Sequence, residues 1–201
     1  VNLSTTGVLT VGTGGILVTD QVSSGSPGLF GGTLGTGATE VIVTQDSLQT
    51  FEISSRIGVN NSFTKTGLGT VLLSGNNAYT GQTSIQNATL QISGGNAIGD
   101  TSVVTLASNR NSTLQLLANE TIGRLQGGQR ATNSDYGMVD IGVHTLTINH
   151  AGGNTTYAGR FIGSGGLVMS AASASNLTLS GISTGYTGTV EVNGGLFQIV
   201  T

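Results

Sequence analysis

The chain has 201 residues, of which 36% are hydrophobic and only 7% charged, with a net charge of −3 at neutral pH. Soluble domains usually carry about 25% charged residues. A surface helix with a charged outer stripe therefore has little to be built from, and the clustered lysine and arginine that grip nucleic-acid phosphates are missing. Gly supplies 34 residues, Pro one and Cys none, which describes short strands joined by tight turns and held without disulfides.

In chain order, apolar residues alternate at Val8–Val11, Glu40–Thr44, Thr50–Ile53 and Thr70–Leu73. The series continues at Thr89–Ile92, Ser102–Leu106, Thr113–Leu116, Val139–Val143 and Leu146–Ile148. It closes at Leu177–Leu179, Val190–Val192 and Leu196–Ile199. Alternation with period two predicts strands with one buried and one wet face. Turn clusters punctuate them at Gly94-Gly95-Asn96, Gly152-Gly153-Asn154, Gly163-Ser164-Gly165-Gly166 and Asn193-Gly194-Gly195. Regular short strands of this kind fit a sandwich, a barrel or a solenoid.

Internal repetition decides among these. The stretch from Tyr79-Thr80-Gly81 to Gln91-Ile92 aligns without a gap on the stretch from Tyr186-Thr187-Gly188 to Gln198-Ile199. Upstream, Leu72-Leu73-Ser74-Gly75 matches Thr178-Leu179-Ser180-Gly181. A repeat that cannot bury its apolar face alone does so by stacking on its neighbours, with Val, Ile and Leu layered inside. Gly and Asn then take the corners, and Asn can ladder with Asn in the next coil. The recurrent Tyr79 and Tyr186 have packing as their simplest role.

The run Thr64-Lys65-Thr66-Gly67-Leu68-Gly69-Thr70-Val71-Leu72-Leu73-Ser74-Gly75-Asn76-Asn77-Ala78-Tyr79-Thr80-Gly81 resembles the autotransporter-associated β-strand repeat, whose pattern ends Asn-x-Tyr-Thr-Gly. The repeat-motif residues in this chain are Lys65, Gly67, Gly69, Ser74, Gly75, Tyr79 and Gly81, with Gly181, Tyr186 and Gly188 in the second copy. That copy departs from the pattern, with Met169-Ser170-Ala171-Ala172 in place of Lys-Thr-Gly-x-Gly. The resemblance implies an all-β, right-handed parallel β-helix, as in passengers exported through an outer-membrane barrel; an antiparallel sandwich is the alternative. The expected organisation is one solenoid over 1–201. Within it, 1–48 forms a cap or early coils, 49–93 the first repeat, 94–155 intervening coils and 156–201 the second repeat.

The resemblance also implies an extracellular or cell-surface location, with membrane attachment only through a barrel outside this chain. Val1-Asn2-Leu3-Ser4 has no leader-like basic start or apolar stretch, so the chain reads as a mature form or a cut fragment. Expected partners are a host-cell or matrix protein or glycan, flanking coils, or other copies of the chain; nucleic acid is not among them.

A search for chemistry returns little. His144 and His150 share a strand face with Asp140 if the strand is unbroken, but residues six apart on a strand are about 20 Å apart, so both histidines read as solvent-facing and structural. The acids Asp20, Glu40, Asp46, Glu52, Asp100, Glu120, Asp135, Asp140 and Glu191 are isolated, without the paired carboxylates a glycosidase needs. Arg110, Arg124, Arg130 and Arg160 are scattered. The run Gly31–Gly37 lacks the Lys-Ser/Thr of a phosphate loop and reads as a solenoid turn. Triplets such as Asn87-Ala88-Thr89, Asn111-Ser112-Thr113 and Asn154-Thr155-Thr156 are what so Asn- and Thr-rich a chain produces by chance. No cofactor, metal or catalytic residue is predicted. The function expected is a structural or adhesive passenger segment, against the alternatives of a filament subunit and a polysaccharide-active β-helix enzyme.

Overall fold

The computed structural model describes residues 1–19, 27–58, 61–129, 136–150, 152–170 and 175–200. Asp20, Arg130, Asp135, Ala171, Ala172 and Thr201 lie outside these residues. The described chain is all-β, with short strands of two to six residues. Every strand pairing is parallel, and each partner lies one coil away. The architecture is a parallel β-solenoid, not a sandwich.

The coil has three sides. One is an unbroken nine-stranded face and the next an eight-stranded face. The third is split into a three-stranded sheet near the N-terminus and a four-stranded sheet near the C-terminus. A typical turn runs from Arg56–Ile57 on the third face to Ser62–Thr66 on the nine-stranded face, then to Val71–Leu73 on the eight-stranded face. Register fixes the coil length: Phe63 lies opposite Thr83 and Thr83 opposite Val104, steps of 20 and 21 residues. Two coils are longer, with Ile16 opposite Val43 and Gly127 opposite Tyr157.

Alternation makes each register position a column along the axis. Phe51, Val71, Leu90, Leu114, Val139 and Phe161 stack in one such column inside the eight-stranded face, and all are buried. Removing a side chain of this size from water contributes about 1.5–3 kcal/mol. The residues between them point outward, so Glu52, Leu72, Gln91, Gln115 and Asp140 form the outer column of the same face.

Three sequence expectations need correction. The strand expected at Val139–Val143 is Met138–Asp140, because Gly142 at φ +59° turns the chain away from it. Thr33–Thr36, inside the run read as a turn, is a strand on the third face, with the turn confined to Gly31 and Gly32 at positive φ. Gly153, assigned to a turn, opens the strand Gly153–Tyr157.

The two sequence copies do not occupy the same faces. Val71–Leu73 lies on the eight-stranded face, whereas its counterpart, within Ser175–Leu179, lies on the nine-stranded face. Thr83–Ile85 lies on the nine-stranded face and its counterpart, within Thr189–Val192, on the third. Ala88–Ile92 and Leu196–Ile199 differ in the same sense. The second copy is set back by one side of the coil. The motif therefore encodes a strand, a corner and a strand, without specifying which side of the solenoid it starts on.

Candidate functional site

The repeat-motif residues cluster where one coil passes over another. Lys65 occupies an inward position of the nine-stranded face, between Val43 and Ile85 in the same column. It is fully buried, and its ammonium donates to the carbonyls of Gly67 at 2.9 Å and Asn87 at 2.8 Å. Burial lowers its pKa to about 8, partly opposed by the nearby Asp46 charge. Gly67 takes the following corner at φ +81°, with Gly69 just beyond it. Ser74 donates its hydroxyl to Glu52 of the previous coil.

Tyr79 is fully buried and heads a chain of hydroxyls. Its Oη lies 2.7 Å from Thr83 Oγ1, which lies 2.9 Å from Ser102 Oγ. Ser102 donates to the Gly81 carbonyl at 2.7 Å. That final acceptor orders the whole chain, with Tyr79 donating to Thr83 and Thr83 to Ser102. Burial raises the Tyr79 phenol far above its ordinary range. Tyr186, in the second copy, is half-buried and donates to the carbonyls of Gly165 and Thr189 at 3.0 and 2.6 Å. Gly81 and Gly188 share one cause. A Cβ at Gly81 would lie 2.3 Å from the Asn61 carbonyl oxygen, and one at Gly188 would lie 1.8 Å from that of Gly165. Gly75 and Gly181 likewise lie beneath carbonyls of the preceding coil.

Between its two sheets the third face has no strand; the Asn77 amide donates to the Asn96 carbonyl at 2.9 Å, and side chains supply further links. Asn77 Oδ1 accepts from the Ile57 amide at 2.7 Å, and Asn77 Nδ2 donates to the Ala97 carbonyl at 2.7 Å. The Ala97 amide in turn donates to Glu120 Oε2 at 3.0 Å. Ile57 belongs to the last strand of the three-stranded sheet and Glu120 to the first of the four-stranded sheet. Asn77 and Glu120 are both buried. Desolvation raises the Glu120 carboxyl to about 7, against the amides of Ala97, Thr121 and Ile98, which favour its ionised form. In the sequence Asn77 stands only as the asparagine of the Asn-x-Tyr-Thr-Gly motif and Glu120 only as an isolated acid, so neither linking role is visible there.

The outer surfaces are polar and largely self-paired. On the eight-stranded face Gln91 donates to Gln115 at 2.8 Å and Gln115 to Asp140 at 3.0 Å. The expected ladder is of asparagine at the corners; this one runs along a strand face and is built from glutamine, ending on aspartate. Over the nine-stranded face an open groove of about 310 Å³ is lined by Thr39, Glu40, Ser62, Thr64, Gln82, Ser84 and Gln86. At the C-terminal coil an apolar cavity of about 470 Å³ lies among Phe161, Leu167, Leu179, Tyr186, Val190 and Phe197.

The histidine reading needs correction for His150. The strand Thr145–Ile148 ends before it, and His150 is turned inward at the corner and fully buried, with Nε2 3.0 Å from the Gly153 carbonyl oxygen. Among the described residues, its Nδ1, Ser55 Oγ and Thr155 Oγ1 are buried and find no hydrogen-bond partner. Among the described residues, no three His, Asp or Glu side chains converge as a metal site would require.

Three faces, inward columns and tight glycine corners define a stacked-coil repeat protein. Residues 63–92 and 171–199 match the family described as the passenger-associated-transport-repeat. These two stretches therefore fit autotransporter passenger repeats. It is 30% identical over 164 residues to a protein named Adhesin BmaC autotransporter from Brucella suis biovar 1 (strain 1330). That likeness covers 81% of this chain and 5% of the relative, so the chain spans only a small part of that protein's length. No solved structure matches the chain.

Proposed function

We propose that this solenoid is an adhesive segment of an autotransporter passenger, displayed at the surface of a Gram-negative cell by an outer-membrane barrel outside this chain. Its role is to hold a polar lateral surface toward host or neighbouring cells; it has no catalytic task. The observation that carries this reading is the pair of passenger repeats at 63–92 and 171–199. The adhesin name of the relative supports it. So does the outward chemistry, in which the groove from Glu40 to Gln86 offers hydroxyl, amide and carboxylate groups to a host protein or glycan.

The test displays the chain on a non-adherent bacterium and measures attachment to host cells and to matrix proteins. A variant combining Glu40→Gln, Gln82→Ala and Gln86→Ala should keep its strand spectrum and lose most attachment. Absence of attachment by the unaltered chain would remove the adhesive role and leave the scaffold.

A second reading is end-to-end association. Val190, Val192, Leu196 and Ile199 are exposed on the C-terminal coil beside the apolar cavity. Such a surface is suited to receive another coil, from the same protein or from a second copy. Light scattering on the chain and on Leu196→Lys separates the two, because only pairing between copies makes mass depend on concentration and on this substitution.

A further inference from the structure

The third face is the side of the solenoid that the backbone ladder does not carry throughout. Two successive coils, at 75–81 and 94–101, cross it without a strand. One backbone bond, from the Asn77 amide to the Asn96 carbonyl, joins them, and the rest of the junction is made by Asn77, which spans from the Ile57 amide to the Ala97 carbonyl, and by Glu120, which receives the Ala97 amide. Ordinary ladder bonds are made by backbone groups that never titrate. Here one of the linking groups is a buried carboxyl.

We propose that Glu120 makes this junction a proton-sensitive joint: protonation holds the coil at 94–101 closed between its neighbours, and ionisation lets that section open. The geometry supplies the reason. A carboxylate in this position is removed from water, and three amides are its compensation. Among the described residues, the charges that act on it include no cation. Asp100, on the joint coil, opposes the ionised form, and the Tyr79 hydroxyl lies on the coil before. The strand above, Thr145–Ile148, carries no titratable side chain, with His144 preceding it. Burial holds the carboxyl at about 7 against an ordinary value of 4.5. A carboxyl raised in the folded state gives stability that is fully present below 4.5 and is lost as pH rises through 7. The joint is thus tightest in mild acid.

Amide hydrogen exchange on the whole chain tests this, with rates corrected for the intrinsic effect of pH. Between about pH 5 and about pH 8, protection at Asn77 and Ala97 should fall by about tenfold or more. Protection at Leu90 and Leu114, on the continuous eight-stranded face, should change less. In Glu120→Gln, which keeps an acceptor oxygen without a charge, the joint amides should lose this pH dependence. Equal pH dependence in both proteins, or equal loss at Leu90 and Leu114, would overturn the proposal. The carboxyl carbon of Glu120, titrated by NMR in the unaltered chain, gives a reading that does not depend on the variant folding. A midpoint near 7 is expected, and one near 4.5 would overturn the joint.

Discussion

At the scale of single residues, the solenoid is governed by how closely one coil lies over the next. Gly81 and Gly188 stand beneath carbonyl oxygens with no room for a methyl group, whereas Gly15 has open space around its Cα. Replacing Gly81 or Gly188 by Ala must move backbone against backbone, because interiors are packed too densely to absorb the clash. Each substitution should cost about 2 kcal/mol or more, and Gly15→Ala should stay within about 0.5 kcal/mol. Urea denaturation of the three variants checks the ordering. The two costs should be similar although the glycines lie on different sides of the coil, since the same carbonyl approach sets both.

At the scale of elements, some of the fold was legible from the sequence and some was not, for definite reasons. Glu40–Gln45 shows clean alternation, with Val41 and Val43 inward and Ile42 and Thr44 outward, so its strand and its buried side could both be read. Arg56–Ile57 and Gly28–Leu29 are only two residues long, too short for any alternation to appear. Ser62–Thr66 escaped because Lys65 breaks the apolar pattern. Its spacing from Phe63 is the one signal that could have placed it inside, since residues two apart share a strand side. Asn77 is visible only as a motif asparagine and Glu120 only as an isolated acid, with no sign that either links coils. Their task appears only when the third face is seen to lack a strand between two sheets.

That task makes Asn77 an element-scale weakness. Asn77→Ala removes both bonds and leaves the Ile57 amide and the Ala97 carbonyl buried without partners. Each unpaired group costs about 1–3 kcal/mol. The expected loss is therefore about 2–6 kcal/mol, seen as a lower denaturation midpoint. Asn77→Asp keeps the acceptor for Ile57 but cannot donate to Ala97, so it should remain destabilised. Wild-type stability in Asn77→Ala would mean that the backbone can close the gap unaided.

At the scale of the whole molecule, two buried groups shape the pH response in opposite directions. Glu120 contributes stability below 4.5 that is lost as pH rises to about 7. The Lys65 amine is lowered in the fold from 10.5 to about 8, so the unfolded chain binds more protons between those values and stability rises with pH there. Together they give a shallow minimum near 7 to 8, where soluble proteins are usually close to their most stable. Above about 10 the raised Tyr79 and Tyr157 phenols turn the curve down again, because the fold resists their ionisation. Thermal midpoints measured across the range test the shape. Glu120→Gln should lose the acid-side gain, and Lys65→Met should lose the alkaline rise. A curve with a single maximum at neutral pH would contradict the assignment of both groups to the interior.

The set-back of the second repeat by one side has a consequence for display. Residues at equivalent motif positions project along different compass bearings around the shaft. Any outward chemistry tied to the motif is therefore spread around the circumference and not lined up on one flank. An insertion between copies would re-aim the later one around the shaft while keeping its interior intact.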